Sequence, residues 1–491
     1  MTRRIILAFG PLLLIATLVL DPIGGLTEPA WRVAGLASWM ATWWLTGVIP
    51  LEATALLPVV FLPLVGTRTI REVTASYADP IIFLFLGGFL LAVTLERWEL
   101  HRRFAIATVR KVGTDAPRVV LAFMIASAVA SMWISNTATA VMMLPIAMAL
   151  IGGTAVGRKG GRPGDETDDS APQETTISAG FPTALMLGIA YACSIGGVAT
   201  LIGTPPNAIL AGAASELIGH EISFAGWMVV GLSISIPMLA CCWLLLITLF
   251  KVRGEVPGLK STLEREQSQF GTMSGGERFV LAVFGFAALS WVLRAPKTIG
   301  DLRIPGLSDF VPGLSDSAIA ITAALLLFTV PLPRARFSTA LDWDTARRIP
   351  WGILLLFGGG LALAGAFQSS GLSDWVGGRL ASMQGVPLPL VILTTAAVFV
   401  FLTELTSNTA TAALGMPLMV GVAQGLNLAA LPLMTAAALA ASMAFMLPVA
   451  TPPNAIVFGS RAIRSKDMAR AGVGLNILSI TVITIAVWIL F

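Results

Sequence analysis

Long apolar stretches separated by short polar strings run the length of the chain. They fall at about 5–20, 31–48, 51–66, 80–96, 119–152, 183–215, 223–250, 277–294, 317–333, 350–368, 388–422, 430–459 and 472–491. A bilayer-crossing helix needs roughly 20 apolar residues, so the pattern predicts an all-α polytopic membrane protein. Two stretches, 119–152 and 388–422, are too long for one crossing, and each carries a Ser-Asn-Thr string near its middle. Each is expected to enter, turn at a polar tip and return. Such re-entrant backbone is tolerated where protein buries it or a water-filled cavity solvates it. The count is then about eleven transmembrane helices plus two re-entrant hairpins.

The polar strings repeat. Ser135-Asn136-Thr137-Ala138-Thr139-Ala140 returns as Ser407-Asn408-Thr409-Ala410-Thr411-Ala412, an offset of 272. Thr204-Pro205-Pro206-Asn207-Ala208-Ile209 returns as Thr451-Pro452-Pro453-Asn454-Ala455-Ile456, an offset of 247. Phe85-Leu86-Gly87-Gly88 parallels Leu356-Phe357-Gly358-Gly359 at an offset of 271. The shortfall of 25 falls on a Gly- and Asp-rich stretch near 157–180 that has no counterpart in the second half. It reads as a flexible cytoplasmic loop, 156–182 at its widest, inserted without chemistry of its own. An odd number of spans between the copies gives the halves opposite orientation, an inverted repeat. The Gly-Gly pairs read as close helix packing.

Composition changes this picture little. The chain is 56% hydrophobic and 12% charged, with a net charge of +4, against about 25% charged in a soluble domain. Its basic residues are topological, not a nucleic-acid footprint. With the N-terminus in the cytoplasm, 24 of the 31 Lys and Arg fall on inside segments and 7 outside. That asymmetry supports the odd span count and an external C-terminus. Thr2-Arg3-Arg4 and the apolar run after it resemble a signal peptide, but lack a small-residue cleavage site, so the segment reads as an uncleaved first span. Cys193, Cys241 and Cys242 have no disulfide or zinc spacing. His101 and His220 sit at segment edges and read as non-catalytic.

The doubled motifs carry the chemistry. At a hairpin tip, Ser and Thr hydroxyls and the Asn amide both donate and accept. They offer oxygens to a hard cation and donors to an anion. Thr-Pro-Pro-Asn breaks a helix, because its prolines lack N–H groups. The carbonyls before it are freed, and Gly203 and Ala450 leave theirs approachable. The next half-helix turns its positive N-terminus toward an anion. Glu404, three residues before Ser407 in an apolar run, is a functional candidate by position; it reads here as a brace for the hairpin. An enzyme would need a nucleophile–base pair or metal cluster. The motifs hold neither.

On these doubled Ser-Asn-Thr and Thr-Pro-Pro-Asn motifs the chain resembles the divalent anion/sodium symporter family, the dicarboxylate, citrate and sulfate carriers, over nearly its whole length. The resemblance implies a scaffold domain that forms a homodimer and a transport domain that moves against it as an elevator. Mapped here, the scaffold is 1–116 and 277–386. The transport domain is 117–276 (hairpin 119–152, broken helix 183–215) and 387–491 (hairpin 388–422, broken helix 430–459). The resemblance implies one sodium site at Ser131, Ser135, Asn136 and the Gly203 carbonyl, and a second at Thr403, Thr406 (mainly through its carbonyl), Asn408 and the Ala450 carbonyl. The dianion would meet Asn136, Thr137, Thr204, Pro205, Asn408, Thr409, Thr451 and Pro452. Sodium is expected as the coupling ion, with no cofactor and no nucleic-acid partner, in the plasma (inner) membrane. Relatives that exchange dicarboxylates without sodium are expected to place cationic side chains at the sodium positions. No Lys, Arg or His lies between Arg118 and Arg158 or between Arg379 and Arg461, which favours a sodium symporter of C4-dicarboxylates such as succinate, malate or fumarate. The alternatives are a sodium-independent exchanger, a sulfate or citrate carrier, and a metalloid-anion permease.

Overall fold

The computed structural model describes residues 2–110, 113–156, 177–256, 259–268, 270–299, 302–332 and 338–491. Most of the loop expected at 156–182, from 157 to 176, lies outside the described residues. Among the described residues, six helices are long and apolar enough to cross a membrane: Ile70–Arg97, Phe224–Leu249, Gly275–Arg294, Trp351–Ser370, Asn408–Leu426 and Ser465–Leu490. Most of the remaining apolar helices are shorter, and several stop where the sequence places its polar breaks.

Seven helices recur in the same order in both halves. The first set is Pro80–Arg97, Leu100–Arg110, Ala116–Ser131, Asn136–Val156, Phe181–Gly197, Pro205–Ile218 and Phe224–Leu249. The second is Trp351–Ser370, Leu372–Leu380, Leu388–Thr403, Asn408–Leu426, Ala430–Ala441, Pro452–Gly459 and Ser465–Leu490. Both hairpins and both broken helices are therefore present, each split at its motif. The cause is local. Prolines occupy the first two positions of Pro205–Ile218 and Pro452–Gly459, where a missing N–H costs nothing and the fixed φ suits a helix start.

Packing draws the four breaks together. Phe181–Gly197, buried over nearly its whole length, lies against both arms of the first hairpin; Ala430–Ala441 does the same for the second. The downstream half-helices then cross over. Pro205–Ile218 packs on Asn408–Leu426 of the second hairpin, and Pro452–Gly459 packs on Asn136–Val156 of the first. Tyr191 pins the halves at the centre, its hydroxyl 2.9 Å from the Phe445 carbonyl. The Gly pairs are packing positions, as expected. A Cβ on Gly87 would lie 2.5 Å from that of Ala320, and one on Gly359 would collide with the Ala55 carbonyl oxygen.

Three details differ from the sequence pattern. The stretch 51–66 is not one helix but Leu51–Thr54 and Leu57–Leu64, because Pro58 needs the first turn of a new helix. Short polar helices such as Leu100–Arg110 and Leu259–Ser268 lie between the apolar runs, where a search for apolar length passes over them. The chain is also not wholly helical. Lys297–Ile299 and Leu302–Ile304 form a small antiparallel hairpin.

Candidate functional site

One cavity of about 600 Å³ collects the breaks. Twelve of the residues expected at the site line it: Ser135, Asn136, Thr137, Gly203, Thr204, Pro205, Thr406, Asn408, Thr409, Ala450, Thr451 and Pro452. The other two, Ser131 and Thr403, are fully buried and each hydrogen-bonds a lining asparagine. Trp44 to Gly47, Leu51, Pro350 and Ile353 also contribute to the wall. Among the described residues, none that lines it is Lys, Arg or His, and Glu404 is the one charged side chain in its wall.

Four helices begin at this cavity: Asn136–Val156, Pro205–Ile218, Asn408–Leu426 and Pro452–Gly459. Each N-terminus carries roughly half a positive charge and unpaired N–H groups. The prolines remove two donors from each of the second and fourth, and of the two N-cap threonines only Thr451 makes a side-chain cap bond. Thr451 Oγ1 accepts from Asn454 N at 3.3 Å, and Ser135 Oγ from Ala138 N at 3.2 Å. A hydroxyl that accepts a cap bond keeps its proton free to donate. The arrangement suits an anion held without a cationic side chain.

Ala116–Ser131, Phe181–Gly197, Leu388–Thr403 and Ala430–Ala441 end at the breaks, and oxygens cluster there. Ser131 Oγ donates to Asn136 Oδ1 at 2.5 Å. A Cβ added to Gly197 would lie 2.7 Å from that Oδ1 and 3.2 Å from the Gly203 carbonyl oxygen. Asn136 and Gly203 thus face one small space that Gly197 leaves open. In the second half, Thr403 Oγ1 lies 2.7 Å from Asn408 Oδ1 and 2.8 Å from the Ala441 carbonyl oxygen. One hydroxyl proton can serve only one of these two acceptors. A small hard cation among such oxygens removes the leftover repulsion. Thr406, expected to act mainly through its carbonyl, has its side chain engaged, 2.5 Å from Thr411 Oγ1 and 2.9 Å from the Leu402 carbonyl oxygen.

Glu404 is 4% exposed and braces the second break. Its Oε1 accepts from Phe445 N at 2.7 Å, Met446 N at 2.8 Å and Asn476 Nδ2 at 2.8 Å. Its Oε2 accepts from Leu447 N at 3.2 Å. In the first half Met132 stands at the matching position, and the Thr200 hydroxyl donates to its carbonyl. Sequence reasoning overlooked Gly197, Thr200, Asn207, Asn454 and Asn476. A signal existed for Asn207 and Asn454, which belong to a doubled motif.

Comparison with known proteins identifies the family. The family model described as "Sodium:sulfate symporter transmembrane region" matches residues 3–491. A sodium-dependent dicarboxylate transporter, SdcS, of Staphylococcus saprophyticus is 41% identical over 99% of this chain and 90% of its own. SdcS of Staphylococcus aureus is 39% identical over 98% of this chain and 90% of its own. Among solved structures, the YdaH transporter of Alcanivorax borkumensis aligns with a TM-score of 0.49 at 13% identity, covering 99% of this chain and 98% of that one. The chain belongs to the sodium:sulfate symporter family, whose members here are integral-membrane transporters and not enzymes.

Proposed function

We propose that this protein is a sodium-coupled symporter that imports a C4-dicarboxylate across the plasma membrane. One observation carries the reading: four helix N-termini meet at a cavity that, among the described residues, has no cationic side chain, with oxygen clusters behind both hairpin tips. Sodium binds at Ser131, Ser135, Asn136 and the Gly203 carbonyl, and at Thr403, Thr406, Asn408 and the Ala450 carbonyl. The dianion then binds between the tips, against Asn136-Thr137, Asn408-Thr409, Thr204-Pro205 and Thr451-Pro452. Two sodium ions balance one dianion, so the loaded site crosses the bilayer without net charge. The names of the relatives at 39–41% identity support both sodium and a dicarboxylate.

Movement is by elevator in this reading, with 117–276 and 387–491 sliding on a dimeric scaffold of 1–116 and 277–386. With the orientation read from the Lys and Arg asymmetry, the N-terminus is cytoplasmic and the C-terminus external. The wall residues Trp44 to Gly47, Leu51, Pro350 and Ile353 then mark the cytoplasmic mouth of the cavity. Ion pairs tie the two domains at the opposite face. Arg68 reaches Glu216 at 3.3 Å and Arg294 reaches Glu221 at 3.0 Å. Both pairs part when the transport domain moves.

The test is radiolabelled succinate uptake into proteoliposomes under an inward sodium gradient, with a potassium control. Uptake driven by sodium and competed by malate and fumarate is expected. Uptake indifferent to sodium but stimulated by internal dicarboxylate would replace symport with exchange. Competition by sulfate or citrate alone would move the substrate class. Gly197→Ala provides a local check. Its methyl group fills the space between Asn136 and Gly203, so the half-saturating sodium concentration is expected to rise about tenfold or more. An unchanged sodium curve would remove the first cation site from this place.

A further inference from the structure

We infer that Asn207 and Asn454 are positioning residues that select which backbone carbonyls remain open to a cation. Both side chains are fully buried, at 0% exposure. Asn207 Nδ2 donates toward the carbonyl oxygens of Thr200 at 2.7 Å, Gly197 at 3.2 Å and Val198 at 3.3 Å. Asn454 Nδ2 donates toward those of Leu447 at 3.1 Å and Ala444 at 3.3 Å. In each case the amide reaches backward across the break and caps the end of the preceding segment.

The motif order explains the need. A broken helix exposes the carbonyls at the end of its first half. The prolines at 205, 206, 452 and 453 have no N–H to offer them. The third residue of the new helix is the first that can supply donors, and it supplies them from its side chain. An Asn has two amide protons and no net charge, so it can neutralise carbonyls without competing as a cation. The carbonyls of Gly203 and Ala450 are not among those capped.

A second observation separates this from ordinary helix capping. Asn207 Oδ1 and Asn454 Oδ1 are both buried without a hydrogen-bond partner. Flipping either amide would set that oxygen against the carbonyls that Nδ2 now serves. The same unpartnered acceptor therefore recurs in both halves as the consequence of turning the donor toward the break. The first amide also lies next to Gly197, whose backbone borders the Asn136 and Gly203 oxygens.

This inference rests on the cation reading above. The test substitutes Asn207→Asp and Asn454→Asp, singly, and measures sodium-dependent shifts of thermal midpoint on purified protein together with succinate uptake. The milder Asn207→Ser and Asn454→Ser keep one donor at each break. The half-saturating sodium concentration is expected to rise about 10- to 100-fold in the Asp variants, the range for lost outer-shell support of an ion site. The Ser variants are expected to fall in between, and the succinate KM at saturating sodium to stay within about twofold, since ground-state contacts to the anion are untouched. Wild-type protein without any sodium response would remove the cation reading itself. A sodium response in wild type that all the variants share would overturn the positioning role alone. Loss of folded protein in both variants at both positions would assign the amides to fold stability and overturn it as well.

Discussion

Asn136→Ala and Asn408→Ala are each expected to lower sodium-driven succinate uptake by at least about 100-fold. Each asparagine serves two bound species. Its Oδ1 lies in an oxygen cluster, 2.5 Å from Ser131 Oγ or 2.7 Å from Thr403 Oγ1. Its residue opens a long helix, Asn136–Val156 or Asn408–Leu426, at the cavity wall. A hydrogen bond to a charged group contributes about 1.5–3 kcal/mol, and every 1.4 kcal/mol is tenfold in affinity. Losing one contact to the cation and one to the dianion multiplies those factors. Truncation at Asn136 also strands the buried hydroxyl of Ser131, whereas that of Thr403 keeps the Ala441 carbonyl as acceptor. Asn136→Asp and Asn408→Asp separate the two roles. They keep an oxygen for sodium and place a negative charge at the anion site, so sodium-dependent stabilisation should survive while succinate uptake fails. Alanine variants that transport at the wild-type rate with an unchanged sodium curve would sink the site as drawn.

Much of this site was legible before the fold. The polar strings interrupt apolar sequence, and a structure in a bilayer has to bury or solvate every such interruption. That logic located both hairpin tips and both helix breaks, and all fourteen expected site residues line the cavity or bond one that does. The legible part is local: a Pro-Pro pair stops a helix wherever it occurs. What the sequence did not disclose depends on which segment crosses which. Asn207 is separated from Gly197 by the break itself, and its side chain has to turn back to reach it. Asn476 meets Glu404 from a helix 72 residues away in sequence. The crossing of Pro205–Ile218 onto the second hairpin, and of Pro452–Gly459 onto the first, has no signature in either motif. The same holds for Gly197, which looks like one more small residue until Asn136 is seen beside it.

Glu404 gives the second large effect, and it is graded. Four N–H donors converge on its carboxyl group, three on Oε1 and one on Oε2. That pattern suits an acceptor-only carboxylate. Glu404→Gln can keep oxygen at the Oε1 position and retain three bonds, setting its NH₂ against Leu447 N alone. Glu404→Ala removes every acceptor and leaves the Phe445, Met446 and Leu447 amides unpaired in a buried segment, at about 1–3 kcal/mol for each unsatisfied group. Partial relaxation brings the expected loss to about 3–5 kcal/mol, as for removal of one partner from a buried charged pair. The order of thermal midpoints is therefore wild type above Gln above Ala. Transport should follow with a different weighting. The segment that Glu404 holds leads directly into Ala450 and Thr451, so Gln should raise the half-saturating sodium concentration more than it lowers the thermal midpoint. Met132, the matching residue in the first half, holds its break through a backbone carbonyl and the Thr200 hydroxyl, so Met132→Leu should leave both quantities near wild type. If Glu404→Gln lowers stability while leaving the sodium curve in place, Glu404 is a structural tie only. If Ala and Gln are both indistinguishable from wild type, the brace contributes nothing and the second break is held by its other bonds, those of Asn454, Thr403 and Tyr191.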